Sequence, residues 1–312
     1  MKNRLGSLLL PAIAIATVGT PAAVPPAAVA DPPHARPQGP AAVAFGAGFP
    51  ALTDHEWGFP LGGFGGISPG APRTHVPVIF VHGNNVDAAD WYAVRDDFRA
   101  AGWTDQELFA LSYNGLGSEA GVGVGRPQLD KANEHVAMGW NGSFNITNNT
   151  VNVPDLYDFI LAVRAYTGSD RFSLVGHSLG VTLARKVLKD HPELRPDLVA
   201  FVGIAGANHG TSFCPPGTER DVVSCDEIAA GTPWLDALNG PDGRDETYGP
   251  AQWLTIFDGT GAGDPAFAGP LYAQSPKLLG ATNLSFDVTY HNDLRVARHI
   301  TSVYRQFLES AE

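Results

Sequence analysis

Basic residues are scarce in this chain. Twenty lysines and arginines stand against 32 aspartates and glutamates in 312 residues, a formal net charge of −12 at neutral pH. A surface with that balance repels polyanions, which argues against a nucleic-acid partner. The acidic residues form no run long enough to act as a tail, so their role is solubility rather than recognition. Cysteine is nearly absent: Cys214 and Cys225 are the two present. Two thiols without clustered histidines make a poor zinc site, and no other metal is indicated. Their spacing in a loop containing proline and glycine instead reads as one disulfide formed outside the cell. Beyond the first thirty residues no stretch is long and apolar enough to cross a bilayer, so stable membrane insertion is not expected.

Those first thirty residues have their own pattern. Lys2 and Arg4 precede an apolar stretch from Leu5 to Val18, and Ala28-Val29-Ala30 supplies small residues before Asp31. This is the layout of a secretory signal over residues 1–30, with a mature start near Asp31 and an extracellular destination. A retained membrane anchor is the alternative; the shortness of the apolar stretch and Pro21, Pro25 and Pro26 after it weigh against that. The 282 residues that follow suit one large domain. Residues 31–72, rich in Pro, Gly and Ala, read as a leader followed by an irregular segment packed on the domain surface. Residues 73–312 form the domain proper.

From Val76 onward the chain alternates strand with helix. Strands are expected at Val76–Val81, near Glu107 to Tyr113, Arg171–Val175, Leu198–Ile204, Gln252–Phe257 and Leu284–Thr289. Helices are expected at Asp90 to Ala101, Pro154 to Thr167, Leu179 to Leu188 and Asp293 to Leu308. Such alternation implies an α/β fold, a mostly parallel sheet with helices on both faces. The ligand site of such a sheet lies beyond the carboxyl ends of its strands. Two excursions interrupt the pattern. Asn114 to Val153 is Gly- and Asn-rich, with a short helical stretch around Leu129 to Met138, and 211–250 holds the cysteines and Trp234, where a cap or substrate loop would sit. Glycosylation sequons begin at Asn141, Asn145, Asn148 and Asn283.

At one strand end stands Gly176-His177-Ser178-Leu179-Gly180. A serine held in a sharp strand-to-helix turn, with glycines where the two backbones approach, is a nucleophile elbow. A serine hydroxyl needs a base, and the base needs an orienting acid. His291, between the last strand and the last helix, is best placed as that base. His209 follows the elbow's neighbouring strand too soon to leave room for an acid before it, so it supports the loop or lines the pocket; His299 lies within the final helix. Two carboxylates compete as the acid. Asp264, at the end of a glycine-rich loop, is the choice, with Asp258 at the strand end as its rival and Asp287 too near His291 in sequence. Backbone N–H donors for an oxyanion are expected from Leu179, directly after the serine, and from Asn84, in the loop after the first clear strand.

Taken together, His82-Gly83-Asn84, the elbow, Ala207-Asn208-His209-Gly210 and His291 resemble the α/β-hydrolase superfamily, and within it the secreted bacterial triacylglycerol lipases and esterases of class two. The resemblance covers roughly Pro72 to Leu308. It extends to the extracellular polyhydroxyalkanoate depolymerases related to those lipases. It implies a three-layer α/β-hydrolase fold and a serine ester hydrolase that works as a monomer, without metal or organic cofactor. The chain departs from the minimal lipases in its 114–153 insertion and its cysteine-bearing loop, both of which bear on the acyl pocket. Transfer to another acceptor, and a binding protein that keeps the fold without turnover, are the other functions such a chain could have. A polymer-surface depolymerase would need exposed aromatics around the site rather than a deep pocket.

Overall fold

Val78-Ile79-Phe80-Val81 has no polar side chain, and a strand of that composition must be covered on both faces. In the computed structural model it is strand β3, in the middle of an eight-stranded sheet. The structure describes residues 44–53, 55, 61–67, 70–84, 86–113, 128–129, 136–137, 149–215, 223–240 and 245–312. The chain divides into units of 1–32 and 33–312. The first, with the expected signal segment, lies outside the described residues. So do the sequons at Asn141, Asn145 and Asn148.

The elements in chain order are β1 (Ala44–Phe45), β2 (Gly62–Gly65), β3 (Val78–Val81), α1 (Tyr92–Ala100), β4 (Leu108–Ser112), β5 (Gln128–Leu129), β6 (Val136–Ala137), α2 (Asn149–Thr167), β7 (Phe172–His177), α3 (Leu179–Asp190), β8 (Leu198–Ile204), α4 (Val223–Ile228), α5 (Pro233–Asn239), β9 (Gln252–Asp258), β10 (Thr282–Phe286), α6 (Asp293–Val296) and α7 (Arg298–Ala311). The main sheet runs β1-β2-β4-β3-β7-β8-β9-β10, and every neighbouring pair is parallel except β2 with β4. Alternate residues divide its two faces. Val78, Phe80, Leu108, Ala110, Val202 and Ile256 meet Trp91, Val94 and Phe98 beside α1 and Ile300, Tyr304 and Leu308 of α7. Ile79, Val81, Phe109, Leu174 and Phe201 meet Leu156, Phe159 and Ile160 of α2 and Val181 and Leu188 of α3. Each such fully buried Leu, Ile or Phe contributes about 2 kcal/mol. A register shift between Phe172 and Leu174 against β8 puts Leu198 and Phe201, an odd spacing, on the same face.

Six elements differ from the sequence expectation. Strands β1 and β2 lie inside the segment read as irregular, and Phe64 is fully buried there. The glycines of β2 hid it, since glycine is a poor strand former. They are required by space: Gly65 has φ +148°, and a Cβ on it would run into the Phe109 ring. Around Leu129 to Met138 the described residues hold a short antiparallel pair, β5 with β6, rather than a helix. The last strand ends at Phe286, three residues early, because the chain turns where Gly259 N–H bonds to the Phe286 carbonyl and Gly263 meets Val288. Helix α2 begins five residues before Pro154. Its first N–H groups need acceptors, and Glu227, far along the chain, takes those of Asn149 and Thr150 at 2.6 and 3.1 Å and the Thr150 hydroxyl at 2.6 Å. Burial raises the Glu227 pKa against the opposing pull of these bonds.

Cys214 and Cys225 are joined in a disulfide. It closes a loop of 11 residues in sequence separation, and restraining the unfolded chain over that length contributes about 3 kcal/mol. Replacing both cysteines with serine is therefore expected to lower the midpoint of thermal unfolding, read by circular dichroism, by about 6–12 °C.

Candidate active site

Ser178 has φ 55° and ψ −125°. It is one of two non-glycine residues with positive φ among the described residues, the other being Ala205. Strain of that kind costs about 1–3 kcal/mol and persists only where the surroundings over-determine it. They do so here. The Ser178 N–H donates to the Ile204 carbonyl at 2.8 Å across β7 and β8. A Cβ at Gly176 would lie 2.9 Å from the Gly180 carbonyl oxygen, and one at Gly180 would collide with the carbonyls of Val81 and His82. Strand, helix and the loop after β3 thus pack with no room for side chains between them. The serine is part-exposed at the tip, at the N-terminus of the 12-residue α3, whose dipole favours negative charge.

The loop after β3 passes directly over the elbow. A Cβ on Gly83 would lie 2.9 Å from the Ser178 Cβ. Asn84 follows in an exposed turn, and Leu179, directly after the serine, is the first residue of α3. Behind this loop Tyr113 donates its hydroxyl to the His82 carbonyl at 2.6 Å and stacks on the His82 ring at 4.0 Å. Burial raises the Tyr113 pKa far above its ordinary value, so the phenol stays a donor.

His291 and Asp264, 27 residues apart, meet. His291 Nδ1 lies 2.7 Å from Asp264 Oδ2, with the carboxylate side chain wholly buried and the imidazole 19% exposed. Asp264 Oδ1 accepts the Ala266 N–H at 2.9 Å. The His291 ring lies against those of His177, at 4.7 Å, and Phe267, at 5.9 Å. Since His177 immediately precedes Ser178, this contact brings His291 to the elbow. Two residues past the start of α6, Arg295 pairs with Asp90 at 3.1 Å and donates to its carbonyl, tying the histidine's loop to the segment following Asn84.

The rival carboxylate has a different occupation. Asp258 accepts the N–H groups of Thr260, Ala262, Gly263 and Asp264 at 2.8–3.2 Å, and the Thr260 hydroxyl. Burial acts to raise its pKa, but these donors outweigh it and hold the carboxyl below its usual range. Asp258 organises the glycine-rich loop that carries Asp264. His209 is similarly engaged, with Nδ1 at 2.9 Å from the Ser275 carbonyl and Nε2 at 2.9 Å from Glu246. Its neighbour Asn208 is fully buried and accepts from Arg185 at 3.1 Å, which accounts for the Asn208-His209 motif as a brace beneath the elbow helix. The sequence suggested a loop-supporting role for His209 but not the Asn208–Arg185 bond or the packing of His177, because neither has a local spacing signal.

Among the described residues no group of three or more His, Cys, Asp and Glu is arranged to hold a metal ion, and no helix is long and apolar enough to cross a membrane. Exposed apolar side chains stand in three loop segments: Phe213 is 57% exposed, Leu271 60% and Tyr290 65%. The first segment touches the one that follows Asp264, for Ser212 N–H bonds to the Ala266 carbonyl.

A mostly parallel sheet sandwiched by helices, with a strained serine elbow at the end of β7, defines the α/β-hydrolase fold. The mature lipase BlEst2 of Bacillus licheniformis superposes with a TM-score of 0.50 at 15% identity, over 77% of this chain and 96% of that one. Lipase B of Aspergillus fumigatus aligns at 17% identity and a TM-score of 0.46, over 67% of this chain, which spans 44% of that lipase's length. The hydrolase of Thermoplasma acidophilum described as CIB-like aligns at 13% identity and 0.47, over 84% of this chain and 98% of that one. No curated protein matches in sequence. The model of the family described as Lipase (class 2) matches residues 75–122 and 137–242. The chain has the α/β-hydrolase fold and resembles the class-two lipases.

Proposed function

We propose that this protein is a secreted serine hydrolase of carboxylic esters. The observation that carries the reading is the 2.7 Å contact of His291 Nδ1 with the wholly buried Asp264, on an imidazole packed against the residue preceding the strained Ser178. In this reading Ser178 Oγ attacks the ester carbonyl while His291 Nε2 takes its proton. The tetrahedral oxyanion is met by the N–H of Leu179 and a donor from the 83–84 loop. Collapse expels the alcohol, which leaves with the proton held by His291. Water, deprotonated by the same imidazole, then attacks the acyl-enzyme, and Ser178 recovers its proton as the acid departs. Asp264 holds the imidazole with its proton on Nδ1, so that Nε2 faces the serine as an acceptor. No step draws on a metal or organic cofactor. Secretion rests on the Lys2-to-Ala30 pattern and accords with the disulfide.

The exposed Phe213, Leu271 and Tyr290 favour a second reading, in which the same site works on an insoluble polyester surface. One experiment tests both. Residues 31–312 are assayed on p-nitrophenyl esters from acetate to palmitate, on a polyhydroxyalkanoate film, and with a fluorophosphonate probe. Hydrolysis with labelling of Ser178 is the expected result. Release of soluble acids from the film as well would favour the polyester reading. A folded protein that cleaves none of these and does not label would be a binding module on the hydrolase fold.

A further inference from the structure

We infer that His177 is a positioning residue whose neutral ring fixes the plane of the His291 imidazole, an inference that rests on the reading above. Asp264 holds His291 through a single hydrogen bond at Nδ1, and one such bond leaves the ring free to turn about it. A base must point Nε2 at the serine within narrow limits, because displacement by about 1 Å can cost a factor of about 100 in rate. The second restraint has to come from surfaces packed against the ring.

Those surfaces are His177 and Phe267. The two histidine rings are 4.7 Å apart and inclined at 43°, and Phe267 lies at 5.9 Å and 45°. His177 is 2% exposed and is the last residue of β7, so its backbone is set by the sheet rather than by a loop. Its Nδ1 lies 3.4 Å from where a Gly83 Cβ would stand, so the same ring supports the loop expected to donate to the oxyanion. His177 therefore touches both segments whose spacing relative to Ser178 matters.

The ring also has to be uncharged, since a cation beside His291 would oppose formation of the imidazolium during attack. Burial is the largest influence holding the His177 pKa well below the ordinary histidine value. Three cationic or ionisable groups face it and act in the same direction: His291 itself, Arg295 from α6 and His82 from the loop after β3. A hydrogen bond with the backbone of His291 acts the other way, with an influence larger than that of His82, and is outweighed by burial and the remaining charges. With its folded pKa lowered, His177 is neutral at the pH where His291 must accept a proton.

The test compares His177→Ala, His177→Leu and His177→Phe with the wild type on p-nitrophenyl butyrate, with fluorophosphonate labelling and thermal midpoints measured alongside. Alanine is expected to lower kcat about tenfold, with KM within about twofold, and to slow labelling by the same factor. Phenylalanine, a flat neutral ring, should return kcat to within about threefold of wild type, whereas leucine, which fills the space without a flat face, should stay near alanine. If alanine does not fold, the leucine and phenylalanine variants decide between them. The acid limb of log kcat/KM should fall with a slope of one proton in the wild type. Equal kcat in the leucine and phenylalanine variants, an alanine variant at full kcat, or a two-proton limb would each overturn the role of His177. A wild type that neither cleaves nor labels would instead overturn the ester-hydrolase reading beneath it.

Discussion

Replacing Ser178 with alanine is expected to lower kcat for ester hydrolysis by about 10⁴-fold or more, with the protein folded and its thermal midpoint little changed. The fold should survive because alanine keeps the Cβ and the backbone contacts. The N–H bond to Ile204 and the close approach of Gly176, Gly180 and Gly83 do not involve the hydroxyl. The strain at φ 55° is equally present with either side chain, so the substitution neither relieves nor adds to it. The chemistry should not survive, because without Oγ no acyl-enzyme forms. His291→Ala should cost a similar factor, since an unactivated serine hydroxyl is a poor nucleophile at neutral pH. The two losses should not add. A Ser178→Ala, His291→Ala protein is expected to match either single variant within about tenfold, because the groups act as one unit. Independent, multiplicative losses would show that the two residues serve separate steps and would sink the shared mechanism.

How much of this could be seen in the sequence depends on the range of the forces involved. Val78–Val81 and Leu198–Ile204 declare themselves because burial on both faces demands unbroken apolar runs. The elbow declares itself because backbone crowding demands glycine at fixed offsets from a serine. What stayed hidden has its cause elsewhere in the chain. Strand β2 is three glycines and a phenylalanine, and reads as loop until the Ala110 carbonyl and the Phe109 ring occupy the space that side chains at Gly63 and Gly65 would need. The first turn of α2 exists because Glu227, 78 residues from Asn149, caps it. Asn283 begins a sequon, yet its side-chain amide donates to the carbonyls of Leu278 and Ala281 and accepts from Leu278 N–H. Those bonds shape the turn into β10 and leave no amide hydrogen for a sugar. Asp264 and Asp258 could be placed in one loop by reading, but their division of labour needed the hydrogen bonds.

That division makes the acid the second large effect. Asp264→Asn is expected to lower kcat by about 10³- to 10⁴-fold with little change in KM or stability. The direction follows from which oxygen is already committed. Asp264 Oδ1 accepts the Ala266 N–H, so an asparagine would keep its carbonyl oxygen there and turn its NH₂ toward His291 Nδ1. The imidazole would then have to accept at Nδ1 and carry its proton on Nε2, facing Ser178 with a donor where an acceptor is required. Asp258→Asn should behave differently. It weakens an acceptor for four backbone N–H groups and a hydroxyl, which costs about 2 kcal/mol and about 4–8 °C of thermal midpoint. Its effect on kcat should stay near tenfold, transmitted by a looser Asp264. Because its folded pKa is lowered, the stability Asp258 contributes is present above the unfolded carboxylate pKa, about 3.9, and is lost as pH falls through the folded value. The wild type should therefore lose more stability than Asp258→Asn on acidification from pH 5 to below 3. Urea unfolding at each pH measures this, and ester turnover at neutral pH measures the rest. If Asp258→Asn were the variant with the 10³-fold loss and an intact thermal midpoint, the roles of the two carboxylates would be exchanged.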